Sequence, residues 1–209
     1  MVTPVKSIIF DLGGVLINLD YQLTRKAFEN LGIANFNDLY TQHHANPLFE
    51  QLEVGAIEPE DFYNKLRETT GLTITNGQIE TAWNAMLLDF PAERLAWLDQ
   101  IKNKYNIYLF SNTNAIHYKA FTTIYAQTAP LVGLNPNFNH FFKEAHYSHT
   151  LGQRKPEVAA FEAVLAKSDL DPAQTLFIDD TISNIEGAQK VGLQTIFLSG
   201  GLTVMDLGL

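Results

Sequence analysis

No cysteine occurs among the 209 residues, so the chain can form no disulfide framework, no thiolate metal site and no cysteine nucleophile, which fits a reducing cytosol. Basic residues are also scarce: 14 Lys and Arg stand against 23 Asp and Glu, a formal charge of −9 spread along the chain. Nucleic-acid surfaces need clustered Lys and Arg, so no nucleic-acid partner is expected, and a phosphorylated ligand would need local positive help. Long apolar runs are missing as well. Ile8-Ile9-Phe10 is cut short by Asp11, far below the roughly 18 residues that span a bilayer, and residues 1–6 lack a signal-peptide plan. The expectation is a cytoplasmic protein without a membrane anchor. Internal repeats and low-complexity segments are absent too.

Hydrophobic residues make up 46% of the chain, enough at this length for one large domain or a core with a smaller inserted domain. Short β-rich apolar runs at Ser7 to Leu12, Ile107 to Phe110, Thr175 to Ile178 and Thr195 to Leu198, with helical spacing between the later ones, predict a parallel α/β sheet. Between the first and second runs no convincing strand is seen, and the gap is too long for an ordinary βα connection. Helical spacing over Tyr21 to Leu31, Pro47 to Leu52, Glu58 to Thr69 and Thr75 to Leu87 predicts a helical insert at residues 17–88. The core is then residues 1–16 and 89–209, with Pro91 to Lys104 as the helix that feeds the second core strand. Asn135 to Thr150 is weakly periodic and is a candidate for another edge strand, and residues 199–209 read as a turn and a short tail.

Polar residues gather where the predicted strands end, the edge at which open α/β sheets bind ligands. Asp11-Leu12-Gly13-Gly14 follows the first run, and its glycines allow a tight turn and close approach to a ligand. Taken alone, Asp11 reads as well as a turn former. Ser111-Asn112-Thr113-Asn114 ends the second run with small hydrogen-bonding side chains, either for a phosphoryl group or for capping a helix. In Arg154-Lys155-Pro156-Glu157, Pro156 suits a first helical turn and puts Lys155 at the start of a helix, where a cation opposes the helix dipole. An anion is therefore expected beside Lys155: either Glu157, or the nucleophile and a phosphoryl group whose charge Lys155 neutralises. Asp179-Asp180 places two carboxylates at the end of a buried strand, a costly arrangement that a hard cation would relieve.

In order, type and strand-end placement these four segments resemble the motifs of the haloacid dehalogenase superfamily of phosphohydrolases. The resemblance implies a three-layer Rossmann-like parallel sheet with a small inserted α-helical cap of the first class, to which Phe49 to Ile57 is similar. It implies Asp11 as nucleophile, Ser111 and Asn112 as phosphate-binding residues, and Lys155 as the cation that stabilises the transferred group. Magnesium would be held by Asp11, Asp180 and the Gly13 carbonyl, with Asn184 standing where the superfamily often has an acid. The partner implied is a small phosphorylated metabolite. One departure matters. Most phosphatases of the superfamily carry a general acid two residues after the nucleophile, and here that position is Gly13. The loss of such an acid costs about 10² to 10⁴ in rate. The pattern looks most like the branch of sugar-1-phosphate phosphatases and epoxide-hydrolase N-terminal phosphatases, so a sugar phosphate that leaves easily is the favoured substrate. A phosphomutase, a dehalogenase and a non-catalytic binder of a phosphorylated ligand are the alternatives. His43 and His44 fall in the insert and read as solvated, Trp83 and Trp97 as core, and Arg154 as either a surface charge or an anion contact.

Overall fold

The computed structural model describes residues 4–42 and 44–209. The first strand, β1 (Ser7–Phe10), is buried at every position, as expected of a strand covered on both faces. The segment after it carries α1 (Tyr21–Asn30), β2 (Tyr40–Thr41), β3 (His44–Ala45), α2 (Pro47–Glu53), α3 (Pro59–Thr70) and α4 (Asn76–Asn84). Next come α5 (Ala92–Ile101), β4 (Asn106–Ser111), α6 (Ala115–Thr128), β5 (Glu144–Tyr147) and the short α7 (Ser148–Leu151). The chain closes with α8 (Val158–Lys167), β6 (Thr175–Asp179), α9 (Ile182–Lys190) and β7 (Gln194–Phe197). The candidate edge strand in Asn135 to Thr150 is β5, at one border of the sheet. The C-terminal tail does more than turn, because Val204 is fully buried in the core.

Five parallel strands are ordered β5-β4-β1-β6-β7, so the chain runs from β1 outward to β5 and then crosses to the other side of β1. That reversal puts a crevice at the C-terminal ends of β1, β4 and β6. Side chains alternate across the sheet with a period of two. Ile8, Phe10, Ile107, Leu109 and Ile178 pack against Leu95 and Leu98 of α5 and Phe121 of α6, while Ile9, Phe110 and Phe177 pack against Phe161 of α8 and Ile185 of α9. The result is a three-layer α/β arrangement.

The segment between β1 and α5 has its own apolar cluster, built around Phe28, Phe36, Phe49, Phe62 and the fully buried Trp83. Its two connections run side by side: Asn18 N–H donates to the Asp89 carbonyl at 2.9 Å, Leu88 N–H to the Asn18 carbonyl at 3.1 Å, and Asp20 N–H to the Met86 carbonyl at 3.0 Å. One feature of this segment was not foreseen from sequence. The two-residue strands β2 and β3 form a small antiparallel hairpin, too short to register as a period-two pattern. His44 on β3 is exposed, and His43 lies outside the described residues. Among the described residues no helix is long and apolar enough to cross a membrane.

Helix α6 belongs to the sheet layer, yet its first turn docks on the helical segment. Ile116 joins the Trp83 cluster, and the His117 ring stacks on Trp83 with centroids 4.4 Å apart while Nε2 lies 3.1 Å from the Trp83 carbonyl. Burial pushes His117 down to about 4. The unfolded chain takes up that proton near 6.5 and the folded one does not, so this stability is present above 6.5 and is lost as pH falls toward 4. Wild type should therefore lose on the order of 3 kcal/mol more than His117→Phe between pH 7 and pH 4 in urea titrations. Parallel pH curves for the two proteins would remove this account.

Candidate active site

Asp11 follows β1 directly, Ser111 closes β4, and Asp179 closes β6 with Asp180 next in the chain. The parallel register brings these strand ends to one edge, since Phe10 lies opposite both Leu109 and Ile178. Lys155 arrives from the loop between α7 and α8. Its Nζ donates to Asp11 Oδ1 and to Asp179 Oδ2, each at 2.7 Å, and it is only 1% exposed. The same ammonium lies 5.4 Å from the Phe110 ring centroid and 5.3 Å from that of Phe177, within cation–π range of both rings.

One sequence expectation needs correction here. Helix α8 starts at Val158 with Glu157 as its cap residue, so Pro156 is not in the first helical turn and Lys155 is not at the helix start. The anions that hold Lys155 are Asp11 and Asp179, not Glu157. The loop is fixed instead by Asn112, whose side-chain amide donates to the Lys155 carbonyl at 2.8 Å and accepts from the Lys155 N–H at 2.9 Å. That reciprocal pair takes up the Asn112 side chain. Ser111 Oγ reaches the Asn112 carbonyl only at 3.4 Å, and Asn114 caps α6 by accepting from Ile116 and His117 N–H groups.

Asp179 and Asp180, adjacent in sequence, have different surroundings. Asp179 is fully buried and its oxygens are occupied by Lys155, the Thr181 N–H at 2.8 Å and the Asn184 amide at 3.0 and 3.1 Å. Asp180 faces a cavity of about 340 Å³, with Thr181 Oγ1 3.2 Å from its Oδ1 and Gln42 Nε2 3.4 Å from its Oδ2. Asp11, Gly13, Asn112 and Lys155 line the same cavity, whereas Ser111 is buried behind the lining. Gly14 has φ +70°, and a Cβ there would meet Asp180 Oδ2 at 2.2 Å, so a glycine is what lets the β1 turn close on Asp180.

Ligand atoms of Asp11, Asp179 and Asp180 lie within 4.8 Å of one another, and one ammonium serves this cluster. Burial, with Asp179 and Asp180 nearby, pushes Asp11 up to about 7 against the pull of Lys155. Burial and Asp179 also raise Asp180. For Lys155 burial acts downward, but the Asp11 and Asp179 carboxylates outweigh it and hold the ammonium above its usual range. The excess negative charge is what a divalent cation would relieve, and the donor set is all oxygen, as magnesium prefers. Because the Asp179 oxygens are occupied, Asp11 and Asp180 are the pair that fits such an ion.

The helical segment also lines this cavity, through Tyr21, Tyr40, Gln42 and Glu53, and Arg154 joins them from the core. None of these four was singled out from sequence. Arg154 Nη2 lies 3.1 Å from Glu53 Oε2 and its Nη1 3.3 Å from Glu50 Oε1, so the guanidinium is not a free surface charge but is paired with two carboxylates. Burial raises Glu53 despite Arg154.

Residues 5–192, which carry this edge of carboxylates and its lysine, match the sequence pattern of a hydrolase family. The chain belongs to the haloacid dehalogenase-like hydrolases. Among solved members, the HAD family enzyme bt-2542 of Bacteroides thetaiotaomicron, an Asp-to-Ala variant in complex with magnesium and inorganic phosphate, is 33% identical with TM-score 0.90 over 98% of this chain and 99% of that one. A predicted HAD-like hydrolase of Porphyromonas gingivalis is 30% identical with TM-score 0.84, covering 96% and 94%. A curated relative, the D-ribitol-5-phosphate phosphatase of Bacteroides thetaiotaomicron, is 28% identical over 91% of this chain and 90% of its own length. The sesquiterpene phosphatase astK of Aspergillus oryzae is also 28% identical, over 99% and 97%.

Proposed function

We propose that this hydrolase is a magnesium-dependent phosphatase that cleaves a small phosphomonoester, a sugar or sugar-alcohol phosphate, through an aspartyl-phosphate on Asp11. The carrying observation is the Asp11 carboxylate at the cavity wall, bonded to a buried Lys155 and flanked by Asp180. The two curated phosphatases support phosphoester hydrolysis, and the ribitol enzyme supports a polyol substrate. Residues 17–88 act as the cap, contributing Tyr21, Tyr40, Gln42 and Glu53 to the cavity that the nucleophile also lines.

Asp11 attacks phosphorus with one carboxylate oxygen while the bond to the leaving oxygen breaks. Lys155, fixed by Asp179, compensates charge on Asp11 and on the phosphoryl group. Asn112 holds a phosphoryl oxygen through its main chain, since its side chain is spent on the Lys155 backbone, and Ser111, buried at the end of β4, holds another once its hydroxyl turns to the cavity. Asp11, Asp180 and the Gly13 carbonyl would hold magnesium, which would supply charge stabilisation of the phosphoryl oxygens. Water then displaces the Asp11 carboxylate from phosphorus, giving inorganic phosphate and free enzyme. The phosphomonoester reading is tested by a hydrolysis panel of sugar phosphates, sugar-alcohol phosphates, nucleotides and p-nitrophenyl phosphate. Turnover of at least one is expected, and EDTA should abolish it. Hydrolysis that persists without a divalent metal would sink the mechanism; binding of phosphorylated ligands without any turnover would favour a non-catalytic role.

Leu19 fills the space where an acid at position 13 would project, because a Cβ on Gly13 would meet Leu19 Cδ1 at 2.6 Å. A sugar alcohol has no anomeric oxygen, so its leaving alkoxide draws a proton from water or from another cavity group. Gly13→Asp combined with Leu19→Ala should therefore raise kcat for alkyl phosphates by about tenfold or more, with little gain for p-nitrophenyl phosphate. Equal gains for both classes would show that protonation of the leaving oxygen does not limit the rate.

A further inference from the structure

Glu53 is the last residue of α2 and only 4% exposed, an unusual place for a carboxylate that faces a cavity. Tyr40 donates its hydroxyl to Oε1 at 3.2 Å. Arg154 Nη2 lies 3.1 Å from Oε2, close enough to offset its charge, yet without hydrogen-bond alignment, so Oε2 has no hydrogen-bond partner. Arg154 Nε is buried and unpartnered as well. Buried polar atoms without partners are destabilising and rare in folded proteins. Here two of them belong to residues that line the same cavity as the nucleophile.

We infer that Glu53, positioned by Tyr40 and Arg154, is a specificity-determining residue that accepts hydrogen bonds from hydroxyl groups on the non-phosphorylated end of the substrate. The inference rests on the phosphatase reading of this cavity and adds a chemical class for the far end of the substrate. The phosphoryl group belongs at Asp11, Lys155 and Asp180, so the remainder extends toward the wall formed by Tyr21, Tyr40, Gln42 and Glu53. That wall offers a carboxylate with unfilled lone pairs, an amide and two phenols. Hydroxyl donors fit it. A second anionic group fits less well, because the Arg154 guanidinium beside it is already shared between Glu50 and Glu53. The substrate class is therefore a neutral-tailed polyol monophosphate, not a phosphorylated carboxylic acid or a bisphosphate.

The test compares wild type, Glu53→Gln and Glu53→Ala on ribitol 5-phosphate, pentyl phosphate and phosphoglycolate. Wild type should have its lowest KM on ribitol 5-phosphate. Glu53→Ala should raise that KM about 10- to 100-fold more than the KM for pentyl phosphate, and Glu53→Gln, which keeps an acceptor oxygen, should recover part of the difference. If the substitutions move both KM values equally, Glu53 only shapes the wall and the inference fails while the phosphatase reading stands. A kcat loss at unchanged KM overturns it in favour of proton transfer by Glu53. Absence of turnover by wild type on every phosphomonoester removes the phosphatase reading and this inference together.

Discussion

Asp11→Asn is expected to lower kcat on any phosphomonoester the wild-type protein hydrolyses by on the order of 10⁴- to 10⁶-fold, with the circular dichroism spectrum unchanged. The amide has the shape of the carboxylate and can stay beside Lys155 Nζ, 2.7 Å away in the native pair, so packing is preserved. What is lost is the charge and nucleophilicity of the oxygen that attacks phosphorus. Electrostatic help from Lys155 and Asp180 remains but has nothing to activate, which is why the loss is far larger than that for a positioning residue. Retention of rate within tenfold would show that another group, or water directly, makes the first bond. A quenched single-turnover experiment adds a second readout, since wild type should trap acid-stable phosphate on the protein and the variant should trap none.

Lys155→Met should cost about 3–5 kcal/mol of folding stability in urea denaturation and abolish hydrolysis. Removing one partner of a buried pair leaves the other charge desolvated without compensation. Here two carboxylates are orphaned at once, Asp11 and the fully buried Asp179. Methionine fills most of the stem volume beside Phe110 and Phe177, so a cavity contributes little and the charge dominates. The double variant Lys155→Met, Asp179→Asn should regain a measurable part of the stability, because the remaining amide still bonds Thr181 and Asn184 through its oxygen. Such a gain would come without any return of activity. A loss below about 1 kcal/mol in the single variant would mean that water reaches the pair, contrary to its burial.

These two residues also show how much was legible in the chain. Strand positions, the sheet class and the helical segment could be read from apolar periodicity, because a covered parallel strand must be apolar throughout and an amphipathic helix must repeat near every third or fourth residue. Asp11, Asp180 and Lys155 were legible because each sits at a fixed offset from a strand or a turn residue. The partner of Lys155 stayed open between Glu157 and the charge of the nucleophile and phosphoryl group, and the structure turns the ammonium inward to Asp11, 144 positions away in the chain. Residue type alone does not separate Asp179 from Asp180; the family resemblance selects Asp180, and the alternation of side chains at the end of β6 buries Asp179 and presents Asp180 to the cavity.

The specificity wall was less legible still. Tyr40 belongs to a two-residue strand, Glu53 ends a seven-residue helix and Arg154 lies on a core loop, and no local pattern links them. Their meeting depends on how the helical segment docks through Ile116, His117 and the paired connections at Asn18 and Asp89. By itself the sequence determined the elements, the family chemistry and the absence of an acid at position 13, since all of these rest on spacing along one chain. Tertiary structure alone decided what ties up Asp179, what fills the place of the missing acid and which cap residues line the cavity. Those are distances between residues far apart in sequence, and packing sets them.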